Sequence, residues 1–446
     1  MIIEMENLIV SSAAQNLPAD IIQEMFSYFS TSLRLNVNKE FPWFLGHVCS
    51  RWRALFLAMT TKFWQSISID YRNRWPSDPR QINCILDITR FFVTRNQEEM
   101  ISFNYLLSKD DRAHGLQSVA DLRRVLEVLV EESTRWESVS IETASLDLPT
   151  LQRVKNRLPS LRSLRLSIPA NLSSISSEIF ENTPSLQQVA LVGHFHWKLN
   201  WSSLTTLELS QAHFGRNELS ILSQVLNVET LTIQHLAASP VTGGNAPIPQ
   251  TIRLPRLKRF SLQGRAQFLT ILEAPMLDEL KLDFHIHRDL PSVASFLSRS
   301  SCTIQRLALK TVARSVFAEV LRRTPEIEHL ELGRQSDSIP YLEALDASPR
   351  NSSSGGEEKL APHLKSLTIA GPAYRNSSWP LSPQELDKLM KLVKSRSGLE
   401  GGAGGHVERL ETLTVLLPVY AQAKPHSLAE LETLCSDVGV SFRTLA

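Results

Sequence analysis

The sequence is poor in cysteine, and its four cysteines lie far apart. Cys49, Cys84, Cys302 and Cys435 form no CxxC pair, so the sequence predicts neither a disulfide framework nor a structural zinc site. An excess of charge of either sign is also missing, because 47 Lys and Arg residues are balanced by 46 Asp and Glu residues. Proteins that bind nucleic acid or membrane surfaces carry clustered basic residues, so we expect neither as a partner.

Long hydrophobic runs are absent as well. No segment approaches the roughly 20 apolar residues of a membrane-spanning helix. The first ten residues contain Glu4 and Glu6, and they lack the basic start and unbroken apolar run of a secretory signal. The sequence therefore predicts an intracellular protein of the cytoplasm, the nucleus or both. With 446 residues, 42% of them hydrophobic, the chain can form a sizeable core.

Glycine is scarce outside two patches, and enzyme motifs are missing. Of 17 glycines, seven lie in segments 346–358 and 395–406, which we interpret as flexible insertions. No Lys-Ser or Lys-Thr follows the second patch, so a phosphate-binding loop is not expected there. The histidine pairs 194/196 and 285/287 each lack a third metal ligand nearby. We therefore predict no catalytic residue, no metal site and no cofactor.

One short apolar pattern recurs along the chain, in the form apolar-x-x-apolar-x-apolar. Eleven copies begin at positions 136, 161, 186, 204, 228, 257, 277, 304, 327, 364 and 410. The two largest intervals contain the two glycine patches. Without those insertions, the spacing is near the roughly 20–29 residues of leucine-rich repeats.

The pattern predicts a stack of short strands. Its last two apolar residues are two positions apart, so both side chains leave the same face of a strand. Such a strand cannot bury this face alone, and the copies are expected to stack side by side. Segments such as 121–133 and 293–300 between the copies have a helical pattern. The sequence therefore predicts an α/β fold, with an irregular leucine-rich-repeat-like solenoid and a curved parallel sheet over residues 121–446.

The outward side chains on the inner, concave face of this sheet are candidates for a binding surface. They carry both charge signs, which fits a protein or peptide partner better than a polyanion. The alternative is that they are simply solvated. The candidates are Arg165, Gln188, Glu208, Arg259, Lys281, Arg306, His329 and Glu331.

The segment 15–70 differs from the repeats, because it is rich in aromatic residues and begins with a helix that has two apolar stripes. We expect this helix to run from residue 17 to about residue 29. Two apolar stripes indicate burial on two sides, inside a small module and against a partner. The stripes are Ile22, Phe26 and Phe29 on one side and Ile21, Met25 and Tyr28 on the other.

Three groups of residues stand out in this segment: Leu17-Pro18 with Ile21-Ile22, then Val48-Cys49-Ser50-Arg51-Trp52-Arg53, and then Phe63-Trp64. Together they resemble the F-box, a helical motif that docks on the Skp adaptor of cullin-RING ubiquitin ligases. Together with the repeats, the chain resembles fungal (basidiomycete-type) F-box proteins with degenerate leucine-rich repeats over about residues 17–332. One departure is segment 30–42, which is longer and more polar than the turn usual in the motif.

The resemblance implies a non-catalytic substrate receptor of a Skp–cullin–F-box ubiquitin ligase, whose solenoid captures a protein substrate. The residues implied to contact the Skp adaptor, which links the chain to a cullin, are Leu17, Pro18, Ile21, Ile22, Met25, Val48 and Trp52. The implied organisation is a tail (1–14), an F-box-like helical domain (15–70), a helical linker or cap (71–120) and the solenoid (121–446). Two alternatives stay open: a non-catalytic repeat scaffold outside any ligase, and an N-terminal module that only caps the solenoid.

Overall fold

The computed structural model describes the chain in a series of segments, to which every structural statement below refers. They are residues 17–28, 32–34, 43–59, 66–71, 79–95, 99–107, 116–142, 147–168, 178–193, 197–211, 216–234, 251–264, 266–283, 290–310, 314–333, 339–346, 360–370, 383–397, 407–416 and 426–445. Both glycine patches, both histidine pairs and most of segment 30–42 lie outside these residues.

Parallel β-strands dominate the structure, which divides into two compact units, Met1–Ser203 and Leu204–Ala446. The strands of the first unit are β1 (Ser32–Arg34), β2 (Ser66–Tyr71), β3 (Ile101–Leu107), β4 (Trp136–Glu142), β5 (Ser163–Ile168) and β6 (Gln188–Gly193). The strands of the second unit are β7 (Thr206–Ser210), β8 (Thr230–Gln234), β9 (Ile252–Arg253), β10 (Arg259–Gln263), β11 (Leu272–Glu273), β12 (Glu279–Asp283), β13 (Arg306–Leu309), β14 (His329–Gly333), β15 (Ser366–Ala370), β16 (Thr412–Leu416) and β17 (Ser441–Leu445).

Within each unit, strand order in the sheet follows chain order. The first unit pairs β1 to β6 successively, and every pairing is parallel. The second unit pairs β7-β8-β10-β12-β13-β14-β15-β16-β17 in the same way. Strands β9 and β11 form a separate two-stranded parallel sheet. Successive strands that pair in parallel are the arrangement of a stacked repeat.

Helices connect most of these strands. They are α1 (Ala19–Ser27), α2 (Ser50–Leu57), α3 (Pro79–Arg95), α4 (Leu116–Glu131), α5 (Leu148–Gln152), α6 (Arg216–Gln224), α7 (Leu290–Ser300), α8 (Arg314–Arg323), α9 (Ile339–Leu345), α10 (Pro383–Arg396) and α11 (His426–Asp437). Short 3₁₀ helices cover Trp43–His47, Ser133–Arg135, Trp201–Ser203 and Ala266–Ile271. None of the helices in the described segments is long and apolar enough to cross a membrane.

The repeated apolar pattern explains the sheet, and the predicted α/β fold with stacked parallel strands is confirmed. Every one of the eleven copies ends in a strand, from β4 to β16, and its three apolar side chains are buried. Paired strands place equivalent apolar residues side by side. In the second unit, for example, Leu280, Leu307 and Leu330 are lateral neighbours. The apolar rows therefore form the continuous core that a single short strand could not form.

The sheet is more extensive than the sequence pattern predicted. The region 71–120, expected to be a helical linker or cap, contains α3 but also β3, which pairs with β2 and β4. Strand β3 buries every second residue, including Phe103 and Tyr105. The alternation of aromatic and polar residues gives β3 one buried face. The sheet therefore begins before the first counted copy of the pattern, and through β1 and β2 it reaches into the N-terminal 70 residues.

A backbone ladder fixes the lateral register where the strands begin. The carbonyl oxygen of Asp278, just before β12, accepts hydrogen bonds from the N–H groups of Gln305 and Arg306, at 3.0 Å each. Thr205, Glu229, Lys258, Gln305, Glu328 and Lys365 accept two N–H groups from the next repeat in the same way. These backbone bonds align each strand with the strand of the next repeat.

Candidate functional site

A small aromatic core holds the N-terminal helices together. Phe26 of α1 lies edge-on to Trp52 and Phe56 of α2, with ring centroids 5.5 Å and 5.9 Å apart. Ile22 and Leu45 are also buried. Edge-to-face aromatic pairs stabilise a core beyond the area they bury. The inner stripe of α1 is therefore the one that contains Ile22 and Phe26.

The start of α2 is defined by local hydrogen bonds. The Sγ atom of Cys49 accepts the backbone N–H of Trp52 at 3.4 Å, so a thiol occupies the N-cap position. The Nε atom of Arg53 donates to the carbonyl oxygen of Gly46 at 2.9 Å, which ties α2 to the preceding 3₁₀ helix. These bonds fix where α2 begins and hold it against the 3₁₀ helix.

The other stripe of α1 faces outward. Ile21, Met25 and Tyr28 are 46%, 40% and 81% exposed, and they follow one another at the i, i+4, i+7 spacing of a single helix face. Val48 and Leu57 add further exposed apolar side chains in the same module. The remaining large exposed apolar side chains of the described segments lie outside this module, at Phe91, Met100, Leu226 and Met276. We call Ile21, Met25 and Tyr28 the outer stripe.

The structure separates the residues that the sequence grouped as adaptor contacts. Pro18, Ile21, Met25 and Val48 are exposed, and Leu17 is partly exposed. Ile22 and Trp52, by contrast, are 0% and 5% exposed and form the core of the module. They are in place to support the outer stripe and cannot reach a partner while the module is folded. Tyr28 and Leu57 were not among the predicted contacts, although Tyr28 shares the periodicity of Ile21 and Met25.

The polar face of the second unit carries most of the predicted substrate-binding residues. Arg165 and Gln188 lie on β5 and β6 of the first unit. The others lie on the second unit: Glu208 on β7, Arg259 on β10, Lys281 on β12, Arg306 on β13, and His329 and Glu331 on β14. All of them are exposed or half-buried, because they alternate with the buried apolar residues of each strand.

Four of these residues meet in one shallow depression of about 250 Å³, formed by β12 to β15. Paired strands place its side chains in two lateral rows. The first row runs Glu279, Arg306, His329 and Ser366, and the second runs Lys281, Ala308, Glu331 and Thr368. Ala308 has only a methyl group where its neighbours have long side chains, so it forms the floor.

The charges on one side of the depression neutralise one another. Lys281 Nζ lies 2.9 Å from Glu279 Oε1, and Arg306 pairs with Asp278 and, at 3.5 Å, with Glu279. Burial alone would raise the pKa of Glu279, but the hydrogen bond from Lys281 and the charges of Lys281, Arg306 and Arg259 outweigh it and hold this pKa below its ordinary value. The Glu279 carboxylate is therefore ionised and paired with Lys281 and Arg306.

On the other side, within the described segments, the carboxylate of Glu331 has no ion pair or hydrogen bond. His329 also lacks such a partner there. Sequence reasoning selected both residues, but missed Ala308, Ser366 and Thr368, which have no chemical signature of their own. What would have identified them is the lateral register, which requires the pairing of strands 20 or more residues apart.

No group of three or more potential metal ligands occurs among the described residues. The histidine pairs 194/196 and 285/287 lie outside them. Burial makes two of the described thiols less reactive. Burial raises the pKa of Cys302 and of Cys435 to about 11 each, with a further contribution from Glu432 at Cys435. Neutral thiols at pH 7 are poor nucleophiles.

The sequence matches no known protein family and none of the curated proteins. Among solved structures, the chain is similar to an internalin from Listeria monocytogenes, with 13% sequence identity and a TM-score of 0.32, over 85% of this chain and 98% of that chain. What defines the class is the chain's own geometry. Each unit is a stack of parallel strands built from a leucine-rich repeat pattern, an architecture that typically presents a surface to protein partners.

Proposed function

We propose that this protein is a non-catalytic substrate receptor of a Skp–cullin–F-box ubiquitin ligase, in which the N-terminal helices bind the Skp adaptor and the polar face of the repeats captures a protein substrate. The observation that supports this proposal is the outer stripe, an apolar helix face that is exposed directly above a complete aromatic core. A helix that served only as a cap would need one apolar face, and α1 has two.

The division of labour follows from this arrangement. The adaptor covers the outer stripe together with Val48, and a recruited ubiquitin-conjugating enzyme supplies the chemistry. Catalysis is then proximity, because holding the substrate near the loaded enzyme raises the effective concentration of its lysines. No residue of this chain needs to contact the reacting bond.

The proposal is tested by placing charge on the outer stripe. The double variant Ile21→Asp, Met25→Asp should weaken binding to recombinant Skp adaptor at least 100-fold, measured by calorimetry on the full chain. Burial of each apolar side chain contributes about 1.5–3 kcal/mol, and each factor of ten corresponds to about 1.4 kcal/mol. Two lost contacts therefore account for this change.

The matched control is Gln23→Asp, Ser27→Asp, which adds the same charge on exposed polar positions of the same helix. This control should bind the adaptor like the wild-type chain. Ile22→Ala is a poor test, since it opens the core of the module rather than removing a contact. Equal binding by both double variants, or no binding by a folded wild-type chain, would exclude the adaptor role and leave the repeat scaffold as the function.

A further inference from the structure

The depression between β12 and β15 has an asymmetric distribution of charge. Lys281 and Arg306, its two cationic lining residues, are both engaged by carboxylates of the β12 side, Glu279 and Asp278. The side chains of β14, by contrast, face the depression without ion pairs in the described structure. An incoming group therefore meets engaged cations on one side and an available carboxylate on the other.

We infer that this depression binds a positively charged, unphosphorylated segment of a protein substrate, with an Arg or Lys side chain of that segment paired to Glu331. The inference deepens the proposed function, and it rests on that function only for the statement that the bound segment belongs to a ubiquitination substrate. The geometry itself belongs to the second unit alone.

The space over Ala308 fits one long side chain. Lys281 and Glu331 lie on alternate strands, so two strand spacings, about 10 Å, separate their backbones. Between them, Ala308 is 4% exposed and offers only its methyl group as a floor. An arginine side chain that enters from solvent lies across this floor, its apolar stem on the methyl group and its guanidinium at the Glu331 carboxylate. Arg pairs with carboxylates in this planar, two-bond manner.

On the β15 side of the Glu331 carboxylate, hydroxyl groups line the depression. Ser366 and Thr368 of β15 are the lateral neighbours of His329 and Glu331. Both are half-buried and line the depression. Their hydroxyl groups can accept the remaining N–H donors of a guanidinium or an ammonium group. Further cations lie outside the residues that line the depression: Lys310 follows β13 beside Gly333 of β14, and Arg259 lies three strands away from β14, about 14 Å, where its Nε donates to the Thr230 hydroxyl at 3.1 Å.

A phosphorylated segment fits the same depression poorly. A phosphate group carries about two negative charges and needs available cations. To pair with the cations that line the depression, it would have to break the Lys281–Glu279 and Arg306–Asp278 pairs, and it would lie close to the Glu331 carboxylate. Repulsion by three carboxylates opposes such binding.

The test begins with selection of random 12-residue displayed peptides on the full wild-type chain. We expect the enriched peptides to share an Arg or Lys. Synthetic copies are then measured by fluorescence anisotropy, alongside copies in which citrulline, a neutral analogue of arginine, replaces the shared residue. Citrulline should raise the Kd at least tenfold. Glu331→Gln in the protein should cause the same loss and should make the two peptides equivalent.

The control is Glu430→Gln, which removes an exposed carboxylate of the same unit from helix α11 rather than from the strand face. It should leave the Kd unchanged. Glu331→Arg should invert the preference, so that a peptide with Glu in place of the shared Arg regains binding. This charge exchange shows a direct contact, which a folding defect could not imitate.

Three results would overturn the inference. They are enrichment of no cationic peptide by the folded chain, equal binding by wild-type protein and Glu331→Gln, and tighter binding of a phosphoserine version of the peptide. Adaptor binding is measured in parallel. Glu331→Gln should keep it and Ile21→Asp, Met25→Asp should lose it, so a failure at the depression is distinct from a failure of the receptor role.

Discussion

At the scale of single residues, the buried Arg396 joins neighbouring repeats. The guanidinium of Arg396, at the end of α10, donates to the carbonyl oxygens of Leu345, Leu360 and Ala361 at 2.9–3.0 Å. Burial lowers the pKa of Arg396 to about 10, against the opposing charge of Asp346, so the group stays ionised at pH 7. The end of α9 and the start of the β15 repeat are thereby fastened to α10.

Arg396→Met should loosen this part of the fold. Substitution removes charge-assisted hydrogen bonds and leaves buried carbonyl groups without donors, a loss of about 3 kcal/mol or more. Hydrogen exchange should show the amides of α9, α10 and β15 losing protection roughly 100-fold. Lys394→Met, at an exposed position of the same helix, should leave exchange unchanged. Equal protection in both variants would mean that Arg396 contributes little.

At the scale of secondary-structure elements, caps decide where a helix begins. Helix α2 begins behind Cys49, whose sulfur accepts only a long hydrogen bond of 3.4 Å from Trp52. Sulfur is a weak acceptor, whereas a serine hydroxyl is among the preferred N-cap groups. The N-cap hydrogen bond that Cys49 accepts is thus weaker than the one that a serine at this position would accept.

Cys49→Ser should therefore stabilise the module, and Cys49→Ala should destabilise it, each by about 0.5–1 kcal/mol. The unfolding of α2 can be followed through hydrogen exchange of its amides and the fluorescence of Trp52. Ser50→Ala, one position into the helix, serves as the control with no expected change beyond a few tenths of a kcal/mol. If Cys49→Ser lowered stability, the thiol would be needed for packing rather than for capping.

The elements also show how far the sequence could predict this fold. The eleven copies gave strands in the right places, because three buried positions at a fixed spacing are a strong signal. Strands β1 and β17 escaped the pattern, since only part of it is present at those positions. In the N-terminal module, the sequence showed two stripes on α1 but not which one is inner. That choice depends on the partners Trp52 and Phe56, which lie about 30 residues away.

At the scale of the whole molecule, partly exposed carboxylates in both units are held in their charged form. Hydrogen bonds from Lys155 and Lys198 lower the pKa of Glu178 to about 2. Bonds and charges from Arg323 and Arg322 lower the pKa of Glu319. Those from His363 and Lys365 similarly lower the pKa of Glu408.

Acid should therefore destabilise the protein in a defined range. A carboxyl group with a depressed pKa in the folded state stabilises it fully above the unfolded pKa of about 4.3, and this contribution is lost as the pH falls through the folded value. The unfolding midpoint in urea should decline between about pH 4.5 and about pH 2. Because the pairs are exposed, 0.5 M salt should flatten the decline.

Glu178→Gln isolates one member of this set. The variant should unfold at lower urea than wild type at pH 6, and the difference should shrink toward pH 2, where the wild-type carboxylate is neutralised. A difference that stayed constant with pH would mean that Glu178 acts through packing rather than through its charge.

The lateral rows of the second unit also impose a regular spacing on the side chains of any segment that crosses the strands. Side chains of one row recur every strand, about 4.8 Å, so Lys281 and Glu331 are about 9.6 Å apart in register. A polyproline II helix repeats after three residues of about 3.1 Å, or about 9.3 Å, which is nearly commensurate with every second strand. An extended β-segment repeats every 6.6 Å or so and falls out of step after one contact. A left-handed, proline-compatible chain that crosses the strands can thus place every third side chain over every second strand without bending.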